Sequence, residues 1–257
     1  MDMNSFDQHI LPLLRIPFVN LVEGTFSRHG GVSRNSFASN NIGFDIGDDT
    51  DRVLLNRKKI KAHACLDVLV SAKQVHGDDI YHLRTPVAGD CVINCCDALT
   101  TDLAGVGLMI GHADCQAAVI YDRQKEVIGA VHSGWRGSAA NILGRTVAAM
   151  EREYGSNPTD LEVGVGPSLG PCCSEFVNYR EELPRWFWKY LVRDNHFDFW
   201  KITLQQLLQA GVPENAVSTA GICTSCSVDY FSYRRACRLH QGITGRNATI
   251  IAMVAGD

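Results

Sequence analysis

The sequence lacks any apolar run long enough to span a bilayer, which takes about 20 residues. The apolar piece from Ile10 to Leu14 is short and contains Pro12. Residues 1–7, which precede it, are acidic, whereas a secretory signal peptide begins with basic residues. We therefore expect a cytoplasmic protein with no membrane partner.

Basic charge is not in excess either. The 24 lysines and arginines are outnumbered by 28 aspartates and glutamates, for a formal net charge of -4. Proteins that bind a phosphate backbone are usually basic, so we expect no nucleic acid partner. The composition, with 46% hydrophobic and 20% charged residues, is typical of a globular chain. Its 257 residues suit one large domain, predicted over residues 1–257, and indicate no particular oligomeric state.

Cysteine, in contrast, is abundant, with ten residues. Disulfides are typical of small secreted chains, and without an export signal we expect reduced thiols here. The segment Cys223-Thr224-Ser225-Cys226 is one half of a zinc ribbon, but no second Cys-x-x-Cys follows it to complete four ligands. A structural metal site would have to recruit Cys172, Cys173 or Cys237.

Hydrophobic patterns predict helices at residues 48–64, 138–154, 173–182 and 199–210. They predict strands at residues 67–75, 80–84, 106–110, 117–121, 127–131, 161–165 and 249–254. We expect residues 80–84 to pair with residues 67–75 as a hairpin, because Gly77-Asp78-Asp79 suits a turn. Such adjacent strand pairs favour an α+β fold over a doubly wound sheet.

Three segments place a metal-ligand side chain where an apolar strand runs into a loop. They are Lys73-Gln74-Val75-His76-Gly77, His112-Ala113-Asp114-Cys115 and Val131-His132-Ser133-Gly134-Trp135-Arg136-Gly137. If the fold brings His76, Cys115 and His132 together, they form a three-ligand site with an open fourth position, as in a catalytic zinc centre. Without metal, a histidine could instead activate Cys115 as a nucleophile. The structural alternative is two strand-end histidines and a buried thiol.

These segments resemble the laccase-domain family, also called the YfiH-like or multicopper polyphenol oxidoreductase family, whose members are described as purine nucleoside phosphorylases. The resemblance extends along nearly the whole chain. Its motifs are Phe26-Ser27-Arg28-His29-Gly30-Gly31-Val32-Ser33, Ser39-Asn40-Asn41-Ile42-Gly43, Asn56-Arg57, Gln74-Val75-His76-Gly77, Asp97-Ala98-Leu99-Thr100-Thr101-Asp102, Ala113-Asp114-Cys115, His132-Ser133-Gly134-Trp135-Arg136-Gly137, Gly166-Pro167-Ser168, Phe231-Ser232-Tyr233-Arg234-Arg235 and Thr244-Gly245-Arg246.

The resemblance implies a layered α/β/β/α sandwich with mixed sheets and a zinc-binding catalytic site of His76, Cys115 and His132. It implies phosphorolysis of adenosine, inosine or methylthioadenosine, with adenosine deamination as an accompanying activity. A purine nucleoside and phosphate are thus the expected partners. Arginine forks suit phosphate, and the expected substrate contacts are Arg28, Asn41, Gln74, Arg136, Arg234 and Arg235.

Other functions stay open. A His2Cys set also resembles a blue-copper site, so copper and polyphenol oxidation are the alternative, although the His-x-His pairs of a four-copper laccase are absent. A Cys-His hydrolase in cell-wall peptide editing and a noncatalytic binding protein are further alternatives. The chain departs from the family at Gln116-Ala117, where Val-Pro is usual, and at Ser174-Glu175-Phe176, where Tyr-Glu-Val is common. These changes bear on pocket shape and substrate preference.

Overall fold

Two mixed sheets lie face to face between layers of helices in this computed structural model, which describes residues 7–254. The predicted domain, 1–257, therefore includes residues 1–6 and 255–257 outside the described part. The first sheet has the order β1 (Ile10–Leu11), β2 (Leu21–Phe26), β14 (Asn247–Met253), β7 (Val106–His112), β3 (Val68–Lys73) and β5 (Cys91–Asn94). The second has the order β13 (Val217–Thr219), β10 (Leu161–Val165), β8 (Gln116–Asp122), β9 (Val127–Ser133), β6 (Ala98–Thr101) and β4 (Ile80–Leu83).

Six α-helices and a small ribbon complete the described residues. The helices are α1 (Thr50–His63), α2 (Trp135–Ala139), α3 (Ile142–Tyr154), α4 (Tyr179–Glu182), α5 (Phe199–Gln209) and α6 (Tyr233–Leu239). The ribbon pairs β11 (Leu191–Arg193) with β12 (His196–Phe197), and 3-10 turns cover Asp7–His9, Asn35–Phe37, Pro158–Asp160, Arg185–Tyr190 and Glu214–Ala216. No helix within residues 7–254 has the length and apolar character needed to cross a membrane.

Hydrophobic contacts define four layers. Ile60 of α1 packs with Phe26 and Met109 on the outer face of the first sheet. Leu108 and Val119, from the two sheets, belong to one buried cluster between them. On the outer face of the second sheet, a third buried cluster joins β8, α3 and α5, and it includes Ile120, Leu143, Val147, Met150 and Leu207. The predicted α+β fold with an α/β/β/α layering is therefore confirmed.

The predicted hairpin is wrong, because β4 lies in the other sheet. It pairs parallel to β6, with Ile80 opposite Ala98, whereas β3 pairs with β7 and β5. The backbone amides of Val75 and Gly77 donate to the buried Asp97 carboxylate. This contact directs the chain across to the second sheet instead of back along β3.

Two predicted helices also differ. The helix predicted at 138–154 is divided, because Asn141 adopts a left-handed conformation with φ 60° and caps α3 by accepting from the Gly144 amide. The helix predicted at 173–182 is reduced to α4, since residues 170–174 form a turn closed by the Cys173 amide and the Gly170 carbonyl. Patterning also missed strands β2, β5 and β6.

Candidate active site

Strand ends of both sheets bring the three predicted ligands together. His76 follows β3, Cys115 lies in the turn between β7 and β8, and His132 belongs to β9. Their ligand atoms all lie within 4.8 Å of one another. The rings of His76 and His132 meet edge to face, with centroids 5.0 Å apart. Parallel pairing of β3 with β7 and antiparallel pairing of β8 with β9 produce this meeting of distant residues.

Asp97, which the sequence shows only as the first residue of a family motif, organises the site. Its fully buried carboxylate lies 2.8 Å from Nδ1 of His132 and accepts the backbone amide of His76 at 3.0 Å. Its carbonyl accepts the His132 amide. A carboxylate on one imidazole nitrogen orients the other nitrogen toward a metal and increases its basicity. The available signal was an acidic residue directly before the short strand β6, but nothing local connects it to His132.

The backbone is strained at two positions of the site. His76 has φ 59° and Asp114 has φ 90°, in the left-handed region that residues with a Cβ seldom occupy. The Asp114 carboxylate is held by the Thr224 hydroxyl at 2.7 Å and by the Arg234 amide at 2.5 Å. These bonds fix the turn that presents Cys115.

Cys115 and His132 form a charge-coupled pair. Burial by itself raises the pKa of the Cys115 thiol, but the adjacent His132 and His76 outweigh burial and lower that pKa to about 6. Burial by itself lowers the pKa of His132, but the Cys115 thiolate and the Asp97 carboxylate outweigh it and raise that pKa to about 9. The protein therefore stabilises the thiolate, which is the form that binds metals and attacks electrophiles.

A metal ion fits this arrangement. Two imidazoles and one thiolate are borderline-soft donors suited to zinc or copper, and three protein ligands leave a position open. Gly134 keeps the adjoining space free, since a Cβ there would lie 3.0 Å from Cδ2 of His76 and 3.2 Å from Sγ of Cys115.

The three side chains face a large cavity of about 1190 Å³. Binding pockets for small molecules are typically about 300–1,000 Å³, so the space accommodates a nucleoside together with a second small ligand. Aromatic lining comes from Phe44, Trp135, Phe176 and Phe199, and cationic lining comes from Arg57, Lys73, Arg234 and Arg246. The site therefore joins a candidate metal centre to apolar and anion-attracting walls.

Two of the six predicted substrate contacts, Gln74 and Arg234, line this cavity. The Gln74 side-chain amide exchanges two hydrogen bonds with the Gly111 backbone, at 2.8 and 3.1 Å. The Arg234 guanidinium donates to the Glu175 carbonyl at 2.9 Å. Both side chains are thus positioned by the backbone around them.

The other four lie outside the cavity lining. Arg28 donates to the Ala38 carbonyl, and exposed Arg136 stacks on Trp135. Buried Asn41 accepts the amides of Gly43 and Arg246, and Arg235 donates to carbonyls of residues 224–230.

Three cations of the lining were absent from the predicted contacts. Arg57 donates to the Ile42 carbonyl and the Ser71 hydroxyl, and burial lowers its pKa to about 10. Burial also lowers the pKa of Arg246. Lys73 completes the set. Arg57 and Arg246 belong to quoted motifs, but their sequence neighbours give no sign that they share a cavity with Cys115.

Comparison with known proteins places this architecture in context. Residues 22–254 match the family described as multi-copper polyphenol oxidoreductase laccase. The chain is 33% identical to purine nucleoside phosphorylase YlmD of Geobacillus stearothermophilus, covering 91% of each chain. It is 34% identical to a purine nucleoside phosphorylase of Deinococcus radiodurans, covering 95% of this chain and 93% of that one.

Solved structures show the same fold. The hypothetical protein YfiH of Bacillus licheniformis superimposes with a TM-score of 0.85 at 27% identity, over 98% of both chains. YlmD of Geobacillus stearothermophilus superimposes with a TM-score of 0.80 at 30% identity, over 93% of this chain and 94% of that one.

Proposed function

This chain belongs to the multi-copper polyphenol oxidoreductase laccase family, and from that premise we propose that it is a zinc-dependent purine nucleoside phosphorylase. One observation carries the proposal: the ligand atoms of His76, Cys115 and His132 lie within 4.8 Å of one another and face a cavity that has both aromatic and cationic walls. Relatives with about a third of their residues identical are named for this activity.

Zinc is the proposed metal because the site has one imidazole pair and one thiolate. A four-copper oxidase needs many more histidines than that, and the sequence has no His-x-His pair. When bound, zinc would supply a Lewis acid that stabilises negative charge developing on the substrate. Asp97 would hold His132 in the ligating tautomer, and Gly134 would leave room beside the metal.

The aromatic side of the cavity is the proposed purine site. The ring centroids of Phe176 and Phe199 are 5.3 Å apart, and Trp135 lies 6.3 Å from Phe176. Flat apolar faces of this kind bury a purine base and stack on it, because stacking requires only a π-face. The base would thus be removed from water next to the ligand cluster.

The cationic side is the proposed phosphate site. Arg246 and Arg234 present guanidinium groups, and Lys73 adds an ammonium group. Guanidinium forks bind phosphate oxygens in pairs, and their half-buried position strengthens each hydrogen bond. In phosphorolysis an oxygen of the held phosphate attacks C1′ of the ribose, and the C1′–N9 bond breaks. The products are ribose 1-phosphate and the free purine.

Among the predicted substrate residues, we propose direct contacts for Gln74 and Arg234. Asn41 would act indirectly, because its amide oxygen accepts the Arg246 backbone amide at 2.9 Å. Arg28, Arg136 and Arg235 make backbone or ring contacts outside the cavity, so we propose structural roles for them.

Product chromatography tests the proposal. Zinc-analysed protein is incubated with adenosine, inosine or methylthioadenosine, with and without inorganic phosphate. We expect free purine and an equal amount of ribose or methylthioribose 1-phosphate, formed only with phosphate. Cys115→Ser should abolish product formation, whereas Cys65→Ser, which changes an exposed cysteine outside the cavity lining, should not.

Each other product would assign a different reaction. Inosine from adenosine would indicate the accompanying deamination, and free ribose would indicate hydrolysis in place of phosphorolysis. Oxidation of a polyphenol by the copper-loaded protein would favour the oxidase alternative. No nucleoside product from protein with stoichiometric zinc would contradict the proposal.

A further inference from the structure

Besides the candidate active site, the structure has a second group of candidate metal ligands, which consists of four cysteines on two loops. Cys172 and Cys173 belong to the turn at residues 170–174, and Cys223 and Cys226 belong to the loop that precedes α6. The four sulfur atoms all lie within 4.8 Å of one another. The Cys226 sulfur is 3.6 Å from that of Cys172 and 3.5 Å from that of Cys173.

We propose that Cys172, Cys173, Cys223 and Cys226 form a second, structural metal centre that binds one zinc ion through four thiolates. This centre takes no direct part in the reaction proposed at His76, Cys115 and His132. The adjacent Cys172 and Cys173 take the place of the second Cys-x-x-Cys that a zinc ribbon has and this sequence lacks.

The sulfur spacing favours a metal over a disulfide. Zinc–sulfur bonds of about 2.3 Å in a tetrahedron place the sulfur atoms about 3.8 Å apart, close to the two spacings measured from Cys226. A disulfide needs about 2.05 Å. All ten cysteines are free thiols in the structure. Cys237, the third candidate from the sequence, is exposed and lies outside the cluster.

Both loops are preformed as tight turns around the sulfur atoms. The Cys226 and Ser227 amides donate to the Cys223 carbonyl at 3.1 and 2.9 Å, and the Cys173 amide donates to the Gly170 carbonyl at 2.9 Å. Backbone hydrogen bonds from Gly170, Ser225 and Cys226 reach the Cys223 side chain. Backbone amides aimed at sulfur stabilise a thiolate and tune a bound metal. The loops therefore need little rearrangement to bind an ion.

Charge and exposure also fit a zinc tetrathiolate. Four thiolates and one Zn²⁺ carry a net charge of about -2, which nearby cations offset. Arg193 donates to the Cys172 carbonyl at 2.6 Å, and Arg235 donates to the Thr224 and Ser227 carbonyls at 2.6 and 2.7 Å. Cys173 and Cys223 are buried, whereas Cys172 and Cys226 are exposed and leave an entry path.

The position of the cluster gives it a structural task. Ser174 and Glu175 follow Cys173 directly and line the cavity. The Thr224 hydroxyl donates to Asp114, the neighbour of Cys115. An ion between the two loops would fasten the cavity wall to the turn that presents Cys115. Four protein ligands leave no position for substrate, which separates this centre from an open catalytic one.

Metal counting on reduced protein tests the proposal. Protein purified with a thiol reductant and loaded with Zn²⁺ alone should carry two zinc ions per chain by elemental analysis and native mass spectrometry. Cys226→Ser should lose one of them, and the matched control Cys65→Ser should lose none. Cys226 is exposed, and serine is its nearest isostere, so the fold should tolerate the change.

A second variant keeps the test decisive if Cys226→Ser fails to fold. Cys115→Ser, loaded with Co²⁺, should retain one metal and show the charge-transfer and d–d absorption of a tetrahedral all-thiolate site. Absence of that spectrum, or an unchanged metal count in folded Cys226→Ser, would overturn the proposal. A disulfide between Cys226 and Cys172 or Cys173 in protein kept reduced throughout would also overturn it.

Discussion

The two candidate metal clusters of this chain differ in the number of protein ligands that they offer, which is what distinguishes a catalytic metal site from a structural one. His76, Cys115 and His132 offer three mixed donors on strand ends, with a large cavity in front of them. The cysteine cluster at 172, 173, 223 and 226 offers four identical donors on two loops and has no cavity of comparable size among the described pockets. Three protein ligands would leave a coordination position of a bound ion open, whereas four would fill a tetrahedral site.

The support behind each cluster differs as well. The first depends on one buried carboxylate, Asp97, which contacts His132 and the backbone around His76. The second depends on turns whose own amides point at sulfur. A catalytic centre thus needs oriented side chains on rigid strands, whereas a structural centre can form from paired turns.

Among the changes that separate the two clusters, removal of an imidazole ligand should have the largest effect on activity. We expect His76→Ala to lower kcat/KM for nucleoside phosphorolysis by at least about 1,000-fold, because the open metal site loses one of three donors. The metal count should fall from two to one. His240→Ala, at the exposed end of α6, is the control and should change neither quantity. Full turnover by His76→Ala would separate the reaction from this site.

Loss of the Asp97 charge should have the next largest effect. Asp97→Asn keeps the shape but weakens the contact to His132, and such second partners of metal ligands are worth about 10–100-fold in metal affinity or activity. Competition with a zinc chelator should show that the first site weakens while the tetrathiolate site retains its affinity. Equal weakening of both sites would point to a general loss of structure instead.

Substitution in the cationic wall should have a smaller and more selective effect. Arg246→Gln is expected to raise the KM for phosphate about 10-fold with less change in the KM for nucleoside, because one guanidinium fork is lost. Steady-state kinetics with each substrate varied separately measures this split. Arg238→Gln, on the exposed surface of α6, serves as control. A shift confined to the nucleoside KM would reassign Arg246 to the sugar or base.

Alkylation of the metal-free protein should distinguish Cys115 from Cys172 without any amino-acid substitution. The pKa of Cys115 is lowered to about 6, while burial and the neighbouring sulfurs raise the pKa of Cys172. At pH 7 Cys115 is therefore mostly thiolate and Cys172 mostly thiol, so iodoacetamide should modify Cys115 before Cys172. The rate of alkylation at Cys115 should decrease as the pH falls through about 6, because the thiolate becomes protonated. Peptide mass spectrometry would contradict this if Cys172 reacted first.

The sequence predicted that three side chains at strand ends would meet, and the structure brings their ligand atoms together, while their catalytic roles stay a prediction. His76, Cys115 and His132 each follow or end an apolar run, and the family motifs indicated that they meet. Local sequence patterns did not predict the role of Asp97 or the path of the chain from β3 to β4, and one physical reason explains both. The carboxylate of Asp97 accepts hydrogen bonds from backbone amides that lie 20 to 22 positions earlier in the chain, and no local pattern reports such a contact.

The predicted substrate contacts show the same limit. Arg28 and Arg235 belong to recognisable motifs, yet their guanidinium groups bind nearby carbonyls. Arg57 of α1 and Lys73 of β3 line the cavity, and α1 and β3 are joined by a shared hydrophobic cluster and by the Arg57–Ser71 hydrogen bond. Side-chain direction depends on packing between layers, which residue identity alone does not specify.

The separate roles of the two clusters are tested most directly by measuring turnover, metal content and thermal unfolding in parallel for zinc-loaded Cys115→Ser and Cys226→Ser. We expect Cys115→Ser to lose purine release and the zinc ion of the open site, while it keeps the zinc ion of the tetrathiolate site. We expect Cys226→Ser to unfold several degrees lower, since a bound structural metal adds to folding free energy, while still releasing purine with phosphate. The account would be contradicted if Cys115→Ser released purine at the wild-type rate.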